Sequence, residues 1–383
     1  MKLIYNIGVY IADFHLKIIA IFSHKLKLGV DGRVQTFNIL ETSISKNDKT
    51  FWFHCASLGE YEQGLPVFKV LREKYPLHKI VLTFFSPSGY EIRKNTDVAD
   101  VVVYLPMDTK VNAKRFLNIV HPELTIFVKY DIWPNYLTEL KKRNLRAILI
   151  SALFRNNQSY FKPLGSMMRN ALSAFEHIFV QNEDSKKLLE SINFNNVTVA
   201  GDTRFDRVSN QLKIDNKLTF IEEFKQDKLC VVVGSSWPED EELLVNYINS
   251  NDSKEIKYII APHNIKQNQI QNLTSKLNVK TVLFTEKEGQ NLSDYSVFII
   301  DTIGILSKIY SYADIAYVGG AMGVTGLHNI LEPAVFGVPI IIGKNHSKFP
   351  EAQQMIDFGG LKSIKNDDEL NSDGDITIYM VFA

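Results

Sequence analysis

From residue 50 onward, short runs rich in Val, Ile and Phe alternate with longer amphipathic stretches, and this alternation limits the fold more than any other feature. Predicted helices lie between predicted strands, for example at 63–74, 110–120 and 134–143. Strands that alternate with helices form parallel sheets covered by helices on both faces. The predicted strands are 51–54, 79–85, 101–105, 124–128, 146–151, 177–181, 197–200, 229–234, 257–261, 281–284, 297–300, 315–318 and 339–342.

The chain length and one break in the alternation predict two α/β domains. A chain of 383 residues exceeds one ordinary core, and the polar stretch 210–228 contains no predicted strand and at most one short helix. Two open parallel sheets joined by such a linker predict a cleft between the domains, with ligands beyond the carboxyl ends of the strands. The predicted segments are a helix at 1–28, a first domain at 29–209, a linker at 210–228, a second domain at 229–370 and a tail at 371–383.

Charge and cysteine content exclude several classes of protein. The formal net charge is zero, so no broad positive field favours nucleic acid. The cysteines Cys55 and Cys230 are far apart, which fits neither a disulfide framework nor a metal site, and a reducing compartment is expected. No cluster of His and Cys predicts a metal, and no cofactor is expected.

The N-terminal segment carries an apolar stripe at helical spacing. Ile4, Ile7, Ile11, Phe14, Ile18 and Ile21 form this stripe, while Asp13, His15 and Lys17 interrupt the apolar run that a spanning helix requires. Two interpretations remain open. The helix packs on the first domain, or it lies in a membrane interface with its lysines toward anionic lipid.

Three motifs follow predicted strands of the first domain. Glu60 opens a helix after Ala56-Ser-Leu-Gly59, where it is either a helix-capping charge or a general base. Lys129 and Asp131 follow the strand 124–128. Arg204 follows the strand 197–200, and it either binds an anion or forms a surface pair with Asp206.

The second domain has a denser set of motifs. Gly234-Ser-Ser236 precedes an acidic helix start and resembles an anion-binding turn, and His263 follows another strand, where it binds a nucleotide or caps a helix. A glycine-rich loop, 317–326, leads to Glu332, which is placed to bind ribose hydroxyls. So many glycines reduce chain stability, which favours close backbone approach to a phosphate or sugar.

Together these motifs resemble the 3-deoxy-D-manno-octulosonic-acid (Kdo) transferases. The matching runs are Ala56-Ser-Leu-Gly-Glu60, Trp133-Pro-Asn135, Gly201-Asp-Thr-Arg-Phe-Asp206, Ala261-Pro262, Asp301-Thr-Ile-Gly304 and His328-Asn-Ile-Leu-Glu-Pro333. The resemblance implies the GT-B fold, which has two Rossmann-like domains. It also implies an inverting glycosyltransferase of lipopolysaccharide biosynthesis that moves Kdo from CMP-Kdo to the lipid A precursor lipid IVA. Its expected place is the cytoplasmic face of the bacterial inner membrane.

The resemblance also assigns residues. Glu60 becomes the general base, Arg204 stabilises the transition state, and Asp131 completes the predicted catalytic set. The CMP contacts carried over by position are Pro262, His263, Ile303, Gly304, Ile305, Asn329, Ile330, Leu331 and Glu332.

Three departures from the family pattern leave alternatives open. Many members have a glutamate where Lys129 stands and an arginine where His263 stands, and the second domain is expected to be truncated before the tail 371–383. The alternatives are an inactive binding module or another nucleotide-sugar enzyme of this fold, such as a UDP-sugar transferase or a hexosamine epimerase. A nicotinamide dehydrogenase is disfavoured because no strand precedes Gly-x-Gly-x-x-Gly.

Overall fold

The computed structural model describes residues 2–129, 131–251, 253–366 and 369. The chain divides into two compact units, Met1–Arg207 and Val208–Ala383. The predicted tail at 371–383 and the expectation of a truncated second domain lie outside the described residues.

The first unit is built on a parallel seven-stranded sheet in the order β3-β2-β1-β4-β5-β6-β7. Its strands are β1 Thr50–Cys55, β2 Lys79–Phe84, β3 Val101–Tyr104, β4 Leu124–Val128, β5 Arg146–Ala152, β6 His177–Val180 and β7 Val197–Val199. The α-helices from the start of the chain through this sheet are α1 Lys2–Ala20, α2 His24–Ser43, α3 Leu58–Lys74, α4 Pro87–Arg93, α5 Lys110–Val120, α6 Pro134–Lys142, α7 Ser166–Leu172, α8 Glu183–Glu190 and α9 Thr203–Ser209.

Strand β1 shows why this sheet is buried on both faces. All six of its residues are buried. Because side chains alternate across a strand, Trp52 packs into one apolar core with Phe127, and Phe53 packs into another with Ile126. A strand with an apolar side chain on each face is stable only inside a layered α/β domain.

The second unit repeats the plan with the strand order β10-β11-β9-β8-β12-β13-β14, again parallel throughout. Its strands are β8 Leu229–Ser236, β9 Ile256–Pro262, β10 Thr281–Leu283, β11 Val297–Ile299, β12 Ile315–Val318, β13 Ile340–Gly343 and β14 Leu361–Ile364. Its α-helices are α10 Thr219–Lys225, α11 Pro238–Ser250, α12 Gln267–Lys276, α13 Leu306–Ile309, α14 Leu331–Ala334 and α15 Pro350–Asp357.

The predicted α/β class with two parallel sheets is confirmed, and the structure adds elements to it. Strand β14 was not predicted; it extends the second sheet beyond β13. The stretch 210–228 contains α10, and Ile221 and Phe224 of this helix are fully buried in the core of the second unit.

The N-terminal segment forms two helices, where the sequence predicted one at 1–28. The chain turns after α1, and the Ser23 side chain accepts a hydrogen bond from Leu26 N at the start of α2. In α1 only Val9 and Ala20 are buried, whereas the apolar stripe is exposed. Among the described helices, α1 alone is long and apolar enough to cross a membrane by length and composition.

The buried carboxylate of Asp108 connects α1 to the start of α6. Asp108 accepts hydrogen bonds from the backbone amides of Asn135 and Tyr136, each at 3.0 Å, and from the Tyr5 hydroxyl at 2.6 Å. Burial raises the pKa of Asp108, and these hydrogen bonds oppose that rise. The first-turn amides of α6 have no partner inside the helix, so the carboxylate caps it.

We expect Asp108→Ala to lower the free energy of unfolding by about 1–3 kcal/mol, because two buried amides lose their acceptor. Denaturant unfolding followed by circular dichroism measures the change. Glu73→Ala, which removes an exposed carboxylate from α3, is the matched control and should change stability far less. Equal effects of the two substitutions would contradict the capping role.

Candidate active site

The first sheet has its topological switch point between β1 and β4. The chain runs outward from β1 through β2 to β3 on one side, and from β4 to β7 on the other. Loops after strands on either side of such a point diverge and leave a crevice at the carboxyl edge, where ligands bind in open α/β sheets. Glu60 follows β1 and Asp131 follows β4, so the fold brings these two predicted catalytic residues to the same crevice.

Glu60 lies in the first turn of α3 and is only 8% exposed. Its Oε2 accepts hydrogen bonds from Ser57 N at 2.7 Å and from Ser57 Oγ at 3.0 Å, which forms a capping box. Burial raises the pKa of Glu60, the charge of Asp131 raises it further, and the Ser57 hydrogen bonds oppose both effects. Glu60 is therefore both the helix cap and a carboxylate with increased basicity, so the two interpretations from the sequence are compatible.

Asp131 is held by two aromatic side chains. Its Oδ2 lies 2.5 Å from His54 Nε2 and 3.0 Å from Trp133 Nε1. The Asp131 side chain is 17% exposed, whereas His54 is fully buried. The carboxylate thus has a fixed orientation and still reaches solvent.

Lys129 lies at the end of β4 in a left-handed backbone conformation, with φ of 69°. This conformation costs a non-glycine residue about 1–2 kcal/mol. Burial lowers the pKa of Lys129, and the negative charges of Glu60 and Asp202 oppose that shift. A strained lysine near Glu60 and Arg204 places positive charge at the same edge of the sheet as the two carboxylates.

Arg204 is anchored by Asp202. Its Nε and Nη2 donate to Asp202 Oδ2 at 2.7 Å and 2.6 Å, while Asp202 Oδ1 accepts from Gln63 Nε2 at 3.3 Å. Because Gln63 belongs to α3, this network connects Arg204 to the helix that holds Glu60. The Arg204 side chain is 39% exposed, so its guanidinium also reaches solvent.

The second sheet has its switch point between β8 and β12. The glycines of the loop follow β12 directly, and a side chain at Gly319 would collide with the backbone of Ser235 and Ser236 at the end of β8. Asp240 in the first turn of α11 accepts hydrogen bonds from Gly320 N and Trp237 N, at 2.8 and 2.9 Å. These contacts hold the two loops together, which is the close backbone approach that the glycines predicted.

Three aromatic rings stack at this second switch point. The ring of His263 lies 4.6 Å from that of Trp237 and 4.5 Å from that of His328, between centroids. Trp237 Nε1 donates to His328 Nε2 at 2.9 Å, so His328 carries its proton on Nδ1. Burial and His263 lower the pKa of His328 to about 4, which keeps this ring neutral at pH 7. His263 therefore joins the stack, and α12 begins later, at Gln267.

The remaining predicted CMP contacts lie in two neighbouring segments. Glu332 accepts hydrogen bonds from Asn329 Nδ2 and from Ser307 Oγ, both at 3.1 Å, so the segment 329–332 is joined to the segment after β11. Gly304 adopts a φ of 98°, which favours glycine. The neighbouring Ile303 is 83% exposed, while Ile330 and Leu331 are buried and Pro262 ends β9. Ile330 and Leu331 could offer a ligand their backbone, since their side chains pack into the core.

Sequence reasoning missed His54, Asp202 and Trp237 as parts of these sites. Asp202 lies inside a recognised motif, and His54 and Trp237 lie next to one, but their importance depends on partners distant in sequence, such as Asp131 for His54. Among the residues that the structure describes, no group of three or more His, Cys, Asp or Glu could hold a metal ion.

Comparison with solved structures shows the fold. A UDP-GlcNAc 2-epimerase from Neisseria meningitidis, solved bound to UDP-GlcNAc, has a TM-score of 0.60 and 14% identity, over 88% of this chain and 92% of that one. This likeness confirms the predicted architecture of two Rossmann-like domains.

Comparison with known sequences finds similarity to Kdo transferases. A family model described as 3-deoxy-D-manno-octulosonic-acid transferase (kdotransferase) matches residues 31–207. A transferase of that name from Haemophilus influenzae is 28% identical over 80% of this chain and 73% of its own length. One from Aquifex aeolicus is 27% identical over 85% of each chain. The chain is thus similar to Kdo transferases, in the family domain at 31–207 and, at 27–28% identity, over most of its length.

Proposed function

We propose that this protein transfers Kdo from CMP-Kdo to lipid IVA, with inversion at the anomeric carbon and release of CMP. One observation carries the proposal beyond the similarity in sequence. It is the buried Glu60 carboxylate with a raised pKa, which lies at the switch point beside Asp131.

Glu60 serves as the general base in this reaction. An acceptor hydroxyl attacks the anomeric carbon of Kdo, the bond from that carbon to the phosphate oxygen of CMP breaks, and the hydroxyl proton moves to Glu60. Burial and the charge of Asp131 raise the pKa of Glu60, which makes its carboxylate a stronger base. The Ser57 hydrogen bonds occupy Oε2, which leaves Oε1 to receive the proton.

Positive charge for the anionic donor comes from Arg204 and Lys129. Kdo carries a carboxylate and CMP a phosphate, so the transition state is rich in negative charge. Asp202 holds the Arg204 guanidinium in a fixed orientation before the reaction begins. The guanidinium therefore need not reorient when negative charge develops on the leaving phosphate.

The nucleotide of the donor binds to the second unit in this proposal. Glu332 is held by Asn329 and Ser307 and is suited to accept hydrogen bonds from ribose hydroxyls. The neutral His328 offers an Nδ1–H donor beside the glycine-rich loop. His263 stands where many relatives have arginine, so recognition of the phosphate relies less on a permanent side-chain cation here.

The exposed stripe of α1 supports a place on the inner-membrane surface, on its cytoplasmic side. Ile4, Ile7, Ile11 and Phe14 are each at least half exposed. Burying side chains of this kind contributes about 1.5–3 kcal/mol each. Lys17 and the lysines at the start of α2 supply positive charge for anionic lipid. The acceptor is itself a lipid, so an enzyme on the membrane surface meets it directly.

We expect Glu60→Gln to abolish transfer while CMP binding stays close to that of the wild type. Glutamine keeps the size of the side chain and can still accept from Ser57, but it cannot take up a proton. Mass spectrometry of lipid IVA after incubation with the protein and CMP-Kdo measures transfer, and calorimetric titration measures CMP binding.

Two outcomes would count against the proposal. Near-normal turnover by Glu60→Gln would remove Glu60 from the reaction. Product formation from UDP-sugars in place of CMP-Kdo would favour a different nucleotide-sugar enzyme of the same fold.

The pH dependence of transfer should report Glu60. Because burial and Asp131 raise its pKa, kcat/KM should fall on the acid side at a pH above the ordinary carboxyl range. Asp131→Asn removes a negative charge, lowers the pKa of Glu60 and should move this acid limb to lower pH, even if the maximal rate decreases. The control Glu73→Gln should leave the acid side of the pH profile unchanged. If this part of the profile does not move in Asp131→Asn, the charge of Asp131 does not raise the pKa of Glu60.

The α1 stripe can be tested with vesicles of anionic phospholipid. Ile11→Asp combined with Phe14→Asp should reduce the vesicle-bound fraction at least tenfold, because two apolar side chains no longer enter the interface. Val70→Asp combined with Leu77→Asp is the matched control, since both side chains are exposed but lie outside α1. Equal binding by the two double variants would locate membrane contact elsewhere.

A further inference from the structure

His54 is fully buried in β1, and both of its ring nitrogens have partners. Nδ1 lies 2.7 Å from Thr83 Oγ1, and Nε2 lies 2.5 Å from Asp131 Oδ2. A buried polar ring is costly unless its hydrogen bonds are made, so this position requires a side chain that satisfies both neighbours. The mechanism above assigns His54 no role.

The hydrogen bonds of Thr83 indicate which nitrogen of the His54 ring carries the proton. Trp52 Nε1 is only a donor, and it donates to Thr83 Oγ1 at 2.9 Å. The Thr83 hydroxyl can in turn donate to His54 Nδ1 at 2.7 Å, which is shorter than its alternative contact to Phe53 O at 3.3 Å. Nδ1 is then an acceptor, and the ring proton lies on Nε2.

The Asp131 side completes the network. His54 Nε2–H donates to Asp131 Oδ2, and Trp133 Nε1 donates to the same oxygen at 3.0 Å. Trp133 Nε1 also lies 2.9 Å from His54 Nε2, but a ring nitrogen that donates to Asp131 has no free lone pair to accept the indole proton. Two donors on one oxygen fix the rotation of the carboxylate. Within the part of the chain that the structure describes, Asp131 Oδ1 has no hydrogen-bond partner, so this oxygen is the one left for a substrate hydroxyl.

We propose that His54 is a positioning residue for transfer, which holds Asp131 through Oδ2 so that Oδ1 binds the acceptor beside Glu60. The proposal rests on the proposed function and adds a role for a residue that does not touch substrate. The oriented chain Trp52–Thr83–His54–Asp131 keeps the carboxylate in one rotamer. Without the Nε2–H donor, Asp131 can rotate and the acceptor loses its alignment.

A matched pair of amides tests this role. In His54→Gln the amide nitrogen reaches the place of Nε2 and still donates to Asp131. In His54→Asn the amide reaches only the place of Nδ1. Both substitutions bury a neutral, polar side chain, so we expect them to lower the stability of the core to a similar extent. We expect kcat of His54→Asn to fall about 10–100-fold, as when other orienting partners are removed, while His54→Gln stays closer to wild type and KM for CMP-Kdo is unchanged in both.

A double-mutant cycle shows whether the effect acts through Asp131. In an Asp131→Asn background, His54→Asn should cause no further loss of kcat. Equal loss in the two amide variants, both folded by circular dichroism and thermal unfolding, would overturn the proposal. So would full additivity of His54→Asn and Asp131→Asn.

Nitrogen NMR of the His54 ring in the wild-type protein tests the same link without an activity assay. We expect the proton on Nε2 at neutral pH and a marked change of this signal in Asp131→Asn. A ring with its proton on Nδ1 would overturn the proposal, even where both amide variants fail to fold. If the wild type transfers no Kdo but the ring shows the Nε2–H form held by Asp131, the proposed function fails while the His54–Asp131 link stands.

Discussion

The parallel direction of every strand in each sheet determines where chemistry can occur in this protein. Parallel strands end at one edge, and their connecting helices must return along the faces, so the carboxyl-edge loops are the part of each unit that escapes burial. Glu60 and Asp131 follow strands that flank the first switch point, and Trp237 and the glycine-rich loop follow strands that flank the second. The backbone direction alone therefore gathers residues that are far apart in sequence.

Most strands could be predicted because strands covered on both faces become apolar runs, as in Phe51-Trp-Phe53 and Ile126-Phe-Val128. Strand β14 escaped prediction because Lys362 and Ser363 interrupt it at the edge of the sheet. Glu60 could be predicted because its motif consists of consecutive residues, from Ala56 to Glu60. The importance of His54 could not be predicted, since its hydrogen bonds join residues more than 25 positions away.

The first switch point concentrates charges that a folded protein would ordinarily keep apart. The carboxylates of Glu60 and Asp131 interact unfavourably, and Lys129 adds an uncommon backbone conformation. The cost is offset by the capping box of α3, the aromatic donors on Asp131 and the Asp202 anchor of Arg204. A site of this kind gives up stability for reactivity, as functional sites often do.

Each apolar core described here lies within one unit, and each unit has its own switch point. Substitutions that change one ligand site therefore leave the packing of the other half untouched. Over evolutionary time such a chain can change the loops of one unit without disturbing the core of the other. The fold is correspondingly tolerant of sequence change, since a UDP-GlcNAc 2-epimerase shares it at 14% identity.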